Sequence, residues 1–198
     1  MTGCASLAKA LHRNLMTSVN SGIFRKVFFG VLFGIVVLAA SVFLSLKFGP
    51  LPVAVADYPF PLEKQLVKIA LRSRIRREMK QPPITVDDHV LESGAQIYRS
   101  QCSICHGKPG HDSVLAKQMF PAPPQLWKKH GPHGAVGVSD DEAGFSYWII
   151  ANGIRLTGMP SFKHSLSDTE MWQLSLLLKN ANKEMPTAVT QTLNSPTP

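Results

Sequence analysis

Two cysteines and a histidine lie close together near the middle of the 198-residue chain, as Cys102, Cys105 and His106 in the run Cys-Ser-Ile-Cys-His. Two thiols at this spacing can each add to one of the two vinyl groups of a haem, and the adjacent imidazole can then coordinate the iron from one side of the ring. C-x-x-C-H is the attachment signature of a c-type haem. The spacing therefore predicts one covalent haem c with His106 as an iron ligand.

The same cysteines could instead belong to a zinc site or to a redox-active dithiol. Structural zinc requires four ligands, and the chain's only other cysteine, Cys4, lies near the opposite end. A redox-active Cys-x-x-Cys pair is typical of a strand-rich, thioredoxin-like fold, whereas no strands are predicted here. Covalent haem is therefore the favoured interpretation.

An iron that only carries electrons usually has a second protein ligand, often a methionine thioether. Met159 lies between Gly158 and Pro160, which respectively permit and stiffen a tight loop, so the sequence predicts Met159 as the sixth ligand. Met119 is the next candidate, although its position soon after the haem motif suits the proximal side better. Met171 falls in a helical pattern. The rival imidazoles, which would lower the potential, belong to His111, His130, His133 and His164.

Residues 88–182 resemble the class I cytochromes c with a single haem. They look closest to bacterial mono-haem domains related to the haem-bearing subunits of terminal oxidases and periplasmic dehydrogenases. The matching pieces are residues 94–98, 102–107, 124–126, 158–160 and 172–178. The resemblance implies an all-α fold wrapped around one covalent haem. It also implies that Gly94 and Tyr98 of the first helix pack against Leu174 and Leu177 of the last.

The resemblance further implies a hydrogen bond that fixes the proximal histidine. In it, the carbonyl of Pro124 accepts the Nδ1–H of His106, which orients the ring and raises its basicity. The proline-rich run 121–124 leaves Pro123 open as the alternative acceptor.

Residues 27–46 form an uncharged apolar run of twenty residues, the length of a helix that crosses the hydrocarbon core of a bilayer. The nearby charges before it are Lys9, Arg13, Arg25 and Lys26, and those just after it are Lys47 and Asp57. The positive-inside rule therefore predicts a single-pass anchor with a cytoplasmic N-terminus and an outward-facing haem domain. Cleavage after Ala56, as in a signal peptide, is the alternative, but the run is longer than the apolar region of a usual signal peptide.

The net charge of +8 is unevenly distributed. Residues 84–198 hold nine Lys and Arg against ten Asp and Glu, so the predicted haem domain is nearly neutral. The excess of positive charge lies in the N-terminal segment and in the connector. This distribution gives no indication of nucleic-acid binding.

The chain divides into five predicted segments. These are a cytoplasmic, disordered or briefly helical segment at 1–26, the membrane anchor at 27–46, a connector with a basic helix at 47–83, the cytochrome c domain at 84–182 and a disordered tail at 183–198. Within the connector, residues 62–80 read as a helix that is expected either to lie on anionic lipid or an acidic partner, or to pack on the haem domain. Its apolar face is formed by Leu62, Leu66, Ile69 and Ala70, roughly continued by Ile75 and Met79.

Helices are also predicted in the haem domain. The first is capped by Asp87 or Asp88 and runs to about residue 100, a second extends from 139–142 to Asn152, and the last is capped by Ser167 or Asp168.

These features together predict a membrane-tethered c-type cytochrome that passes single electrons between respiratory protein partners at the outer face of the bacterial cytoplasmic membrane. Because two axial ligands saturate the iron, neither catalysis nor a small-molecule substrate is expected. The alternative in the same chemistry is a dedicated electron-transfer subunit of a dehydrogenase or oxidase complex. A haem peroxidase or a gas sensor would need a labile sixth ligand.

Overall fold

The structure is a computed structural model that describes the backbone of residues 3–49, 54, 55, 57 and 61–195. Side chains are described from residue 24 onward within these ranges, except that of Lys64. The proposed cleavage point at Ala56 lies outside the described residues. The chain divides into two units, Met1–Val53 and Ala54–Pro198.

The first unit consists of one long helix, α1, over Gly3–Phe48. Its segment Phe24–Phe48 has 25 residues, a mean hydropathy of 2.8 and no buried positions. At about 1.5 Å per residue this segment exceeds the roughly 30 Å hydrocarbon core, so it could cross a membrane by length and composition. The prediction of a disordered or briefly helical segment before it is wrong, because the helix extends back to Gly3. Residues 3–26 contain no proline that would stop a helix from propagating out of the apolar run.

The second unit is mostly helical, in agreement with the predicted all-α class. Its helices are α2 (Glu63–Glu78), α3 (Asp88–Ile97), α4 (Ser103–His106), α5 (Ala143–Asn152), α6 (Asp168–Lys179) and α7 (Thr187–Asn194), with a π-helical turn at Tyr98–Cys102 and a 3₁₀ turn at Leu115–Gln118. Contrary to the expectation of no strands, β1 (Lys129–His130) and β2 (Ala135–Val136) form a short antiparallel pair.

Capping side chains and a glycine determine where three of the helices begin or end. The carboxylate of Asp87 accepts the backbone N–H of Val90 at 2.7 Å and caps α3. Ser167 and Glu170 form a capping box at the start of α6. Gly153 ends α5 with a φ of +65°, a conformation that favours glycine.

The first and last helices of the haem domain cross at Gly94, as the resemblance implies. A Cβ atom at Gly94 would lie 2.6 Å from the carbonyl oxygen of Gln173 and 3.0 Å from Cβ of Leu177. Only glycine therefore allows α3 to approach the backbone of α6 this closely. Tyr98 and Leu174 are buried in the same core cluster.

Helix α2 packs against α5, but the apolar residues that the sequence placed on one face of this helix are not buried together. Ile75, the predicted continuation of that face, is fully buried, whereas Leu66 and Ile69 are about two-thirds exposed. Trp148 of α5 donates its indole N–H to Glu78 at 2.8 Å, and the Arg74 guanidinium lies 5.7 Å from the Trp148 ring centre. The C-terminal half of α2 is therefore part of the second unit.

The predicted disordered tail at 183–198 is wrong over residues 187–194, which form α7. Val189 and Leu193, four residues apart on this helix, are almost completely buried in the main core. Their burial against the haem domain stabilises a helix that has few other apolar residues. Residues 196–198 lie outside the described residues.

Candidate haem-binding site

The Cys-x-x-Cys-His motif begins in a π-helical turn, which is wider than a turn of α-helix. Helix α3 passes directly into the π-helical turn Tyr98–Cys102, and α4 then carries Cys105 and His106. The Ser103 hydroxyl donates to the carbonyl of Arg99 at 2.6 Å and ties the two segments together. Single π-helical turns occur often at functional sites because they redirect side chains within a continuous helix.

The end of α4 is held by a buried tyrosine. The Tyr98 hydroxyl donates to the carbonyl of Gly107 at 2.7 Å and lies 3.2 Å from that of His106. Burial raises the pKa of this hydroxyl, so it remains a neutral donor. Gly107 has a φ of +72°, and a Cβ there would lie 2.6 Å from Oε1 of Gln125. Glycine is thus required where the chain leaves the motif.

The segment 124–126 supports the motif from outside. Leu126 donates its N–H to the His106 carbonyl at 3.1 Å, and Nε2 of Gln125 lies 3.3 Å from the Cys105 carbonyl. Nδ1 of His106 lies 2.8 Å from the carbonyl oxygen of Pro124, whereas the Pro123 carbonyl accepts from Gln125 at 3.3 Å. The structure thus forms the histidine hydrogen bond with Pro124 and not with Pro123.

This contact selects a tautomer of His106. A carbonyl oxygen can only accept, so Nδ1 carries the proton and Nε2 keeps its lone pair for a metal. Burial lowers the pKa of His106, an effect that the Pro124 hydrogen bond partly opposes. The neutral imidazole that iron ligation requires is therefore the favoured form.

Cys102, Cys105 and His106 line one cavity in the second unit, together with Met119 and Met159. The empty space between these residues is about 970 Å³, its open mouth included. Most of its remaining lining is apolar and comes from Pro121, Ala122, Pro123, Pro124, Leu126, Val138, Ile149, Ile150, Ile154, Pro160, Phe162 and Leu178.

The loop that carries Met159 returns onto α5. The Thr157 hydroxyl donates to the Ile154 carbonyl at 2.8 Å and accepts the N–H of Met159 at 3.1 Å. A Cβ at Gly153 would lie 2.7–2.8 Å from backbone atoms of Met159, Pro160 and Ser161. Glycine at 153 is therefore what allows the Met159 segment to lie against the end of α5.

Met119 also lines this cavity, where it makes a contact that the sequence did not predict. Its terminal methyl occupies the position where a Cβ on Gly158 would be. The glycine before Met159 therefore has a packing role, whereas the positive φ in this loop lies at Leu156 (61°) and not at Gly158. No local pattern could have shown this, because the two residues are far apart in the chain.

The alternative histidine ligands and three nearby aromatic residues do not line this cavity. His111, His130, His133 and His164 are exposed and do not line the cavity. Three aromatic rings, at Trp127, Tyr147 and Trp148, also lie outside its lining. Tyr147 stacks on Trp172 with ring centres 4.0 Å apart.

The donor set fits a covalently attached haem better than zinc or redox chemistry. Cys102 and Cys105 are free thiols, and burial raises the pKa of Cys102 to about 12, opposite to the lowered pKa of a redox-active dithiol. Within the part of the chain that the structure describes, no group of three His, Cys, Asp or Glu residues could hold a metal ion. Two thiols, one oriented imidazole and thioethers around an apolar cavity are the groups that a haem c requires.

Comparison with known families supports the same assignment. Residues 89–178 match the family described as cytochrome c oxidase, cbb3-type, subunit III, over a little under half of the chain. No curated protein matches the chain significantly. Residues 89–178 therefore form a class I c-type cytochrome domain, similar to those of oxidase subunits. Such a domain is a haem-based electron-transfer module with redox protein partners.

Proposed function

We propose that this protein is a membrane-tethered cytochrome c that carries single electrons between respiratory partners through one covalent haem. Cys102 and Cys105 would form the thioether bonds, while His106 and Met159 would ligate the iron. The observation that carries this proposal is the convergence of these four side chains on one apolar cavity, with His106 oriented by Pro124.

The chain's own residues would set the properties of the site. Haem supplies a one-electron couple at iron. The Pro124 carbonyl keeps Nδ1 of His106 protonated, which directs Nε2 to the metal. The apolar lining excludes water and disfavours the more highly charged oxidised state, and a thioether from Met159 acts in the same direction. With both His106 and Met159 bound to the iron, the site would favour electron transfer over substrate chemistry.

The anchor is proposed to be α1, with the haem domain on the outer side of the cytoplasmic membrane. Four basic residues and no acidic residue precede the apolar segment. This asymmetry favours a cytoplasmic N-terminus.

A pair of alanine variants tests the sixth ligand. In the full-length holoprotein, Met159→Ala is expected to retain covalent haem, lose the absorption band of thioether–iron ligation and bind carbon monoxide when reduced. Its potential should fall by roughly a hundred millivolts or more, because thioether favours the reduced state. Met119→Ala serves as the matched control, since it removes the other thioether at the same cavity. If Met119→Ala loses the band while Met159→Ala keeps it, the ligand assignment is wrong.

A second candidate is a fixed subunit of an oxidase complex. The description of the matched family, subunit III of a cbb3-type oxidase, favours it. Purification of the chain in mild detergent distinguishes the two functions. A stoichiometric complex with catalytic oxidase subunits supports the fixed subunit, whereas a separate cytochrome that is reduced and reoxidised by added membranes supports the carrier.

A further inference from the structure

Helix α2 has an apolar surface that its own domain does not cover. Leu66, Val67 and Ile69 are 64%, 54% and 66% exposed. Leu66 and Ile69 lie on the side of the helix opposite Ile75, which is the side chain buried in the domain. The outer face of α2, defined here as Leu66, Ile69, Arg76 and Arg77, therefore points away from the haem domain.

The outer face is also strongly basic. Residues 63–80 contain seven Lys and Arg against two Glu. Arg76 and Arg77 follow Ile69 along the same side of the helix and are exposed. Apolar side chains with arginines beside them are typical of helices that lie in the interface of an anionic membrane.

The contacts of the opposite side fix this orientation. Glu78 accepts the indole N–H of Trp148 at 2.8 Å and pairs with Arg74 at 3.0 Å. The carbonyl of Lys80 lies directly against Gly144 of α5, where any Cβ would collide with it. Helix α2 cannot rotate to bury Leu66 and Ile69 in its own domain without breaking these contacts.

We propose that the outer face of α2 lies on the anionic lipid surface of the bilayer that α1 spans. Leu66 and Ile69 would enter the boundary between headgroups and acyl chains, while Arg76 and Arg77 bind lipid phosphates. The proposal rests on the proposed membrane anchoring. It is supported by the chain length, because residues 49–62 can extend at most about 50 Å from the end of α1.

This contact would give the haem domain a defined orientation on the membrane. Because α2 is fixed to α5, and α5 contributes Ile149 and Ile150 to the cavity, binding of α2 to lipid would orient the haem cavity relative to the bilayer. Redox partners would then approach from a restricted set of directions.

Spin labelling of the reduced full-length holoprotein in nanodiscs tests the proposal. Single labels are placed at Ile69→Cys, at Val37→Cys in α1 and at Gln96→Cys on the exposed side of α3, each combined with Cys4→Ser. Accessibility to lipid-soluble oxygen and to a water-soluble nickel chelate is compared in neutral phosphatidylcholine and in mixtures with phosphatidylglycerol.

The label at residue 69 is expected to gain oxygen accessibility and lose nickel accessibility in anionic nanodiscs, and to revert in high salt. Arg76→Gln with Arg77→Gln should weaken this lipid contact by about twenty-fivefold, since each basic residue near an anionic surface contributes roughly fivefold. Lys117→Gln with Lys183→Gln, two exposed charges outside α2, should leave it unchanged. The label at Gln96 should remain in water throughout.

The labels separate the two proposals. A water-exposed residue 69 beside a lipid-exposed residue 37 overturns the surface contact and preserves the anchor. A water-exposed residue 37 overturns the anchor itself. If lipid contact at residue 69 depends neither on phosphatidylglycerol nor on the two arginines, the proposed recognition of anionic lipid is wrong.

Discussion

Replacement of Gly153 by alanine should damage the haem site without replacing a proposed haem ligand. Gly153 ends α5 with φ and ψ of 65° and −172°, a region of backbone conformation that is essentially restricted to glycine. An added Cβ would also lie 2.7 Å from the carbonyl carbon of Pro160, 2.8 Å from the Met159 oxygen and 2.8 Å from the Ser161 nitrogen. These are backbone atoms, so no side-chain rotation relieves the collision.

The expected loss of stability has two parts. Holding alanine in this conformation costs about 1–3 kcal/mol, and crowding against rigid neighbours typically costs a further ~1–3 kcal/mol. Gly153→Ala should therefore lower the free energy of unfolding by about 2–6 kcal/mol. The collision also displaces the Met159 carbonyl, which accepts the N–H of Ile154 at 3.2 Å, so the thioether–iron band of the holoprotein should weaken.

Gly110→Ala provides the control. Gly110 also has a positive φ, of 74°, but its added Cβ would meet no atom within 4 Å. Gly110→Ala should lower the free energy of unfolding only by the backbone penalty of about 1–2 kcal/mol, and its visible spectrum should be unchanged. Denaturant unfolding and visible spectroscopy measure both variants. Equal losses of stability, or an unchanged ligation band in Gly153→Ala, would refute the packing argument.

Three further predictions concern hydrogen bonds and packing that hold the haem domain together. Tyr98→Phe removes the buried donor to the Gly107 carbonyl and should cost about 1–3 kcal/mol; a change within experimental error would show that this carbonyl finds another donor. The hydrogen bond from Trp148 lowers the pKa of Glu78. The attachment of α2 to α5 should therefore be complete above the usual glutamate pKa and weaken as the pH falls through the lowered value. Glu78→Gln should remove that pH dependence in the hydrogen exchange of α2. Leu193→Ala should destabilise the domain by roughly 2–5 kcal/mol in denaturant unfolding if α7 belongs to the core, and an unaffected stability would mean that it does not.

Much of the site could be predicted because its signals are local. The C-x-x-C-H spacing, the Gly-Met-Pro segment and the polar caps at Asp87 and Ser167 each act within a few residues. Gly94 was placed at the helix crossing by resemblance, and its physical reason, the approach of the Gln173 carbonyl, became visible only in the structure.

The remaining features depend on contacts between distant segments. The buried side of α2 is set by the contact between Glu78 and Trp148 of α5, which helical periodicity does not reveal. The sequence therefore grouped the exposed Leu66 and Ile69 with the buried Ile75. Helix α7 offers a weak local signal, Val189 and Leu193 four residues apart, and forms because both side chains reach the core. The apolar pattern of a segment shows which of its faces could be buried. Which face is actually buried depends on the segment that packs against it.

The central claim, that Cys102 and Cys105 bind haem covalently, is tested most directly by the intact mass of the purified full-length chain after denaturation. Mass spectrometry should show the polypeptide increased by one haem, and the increase should be absent from the variant that combines Cys102→Ala and Cys105→Ala. A wild-type chain that releases its haem on denaturation and has the mass of the bare polypeptide would contradict the account.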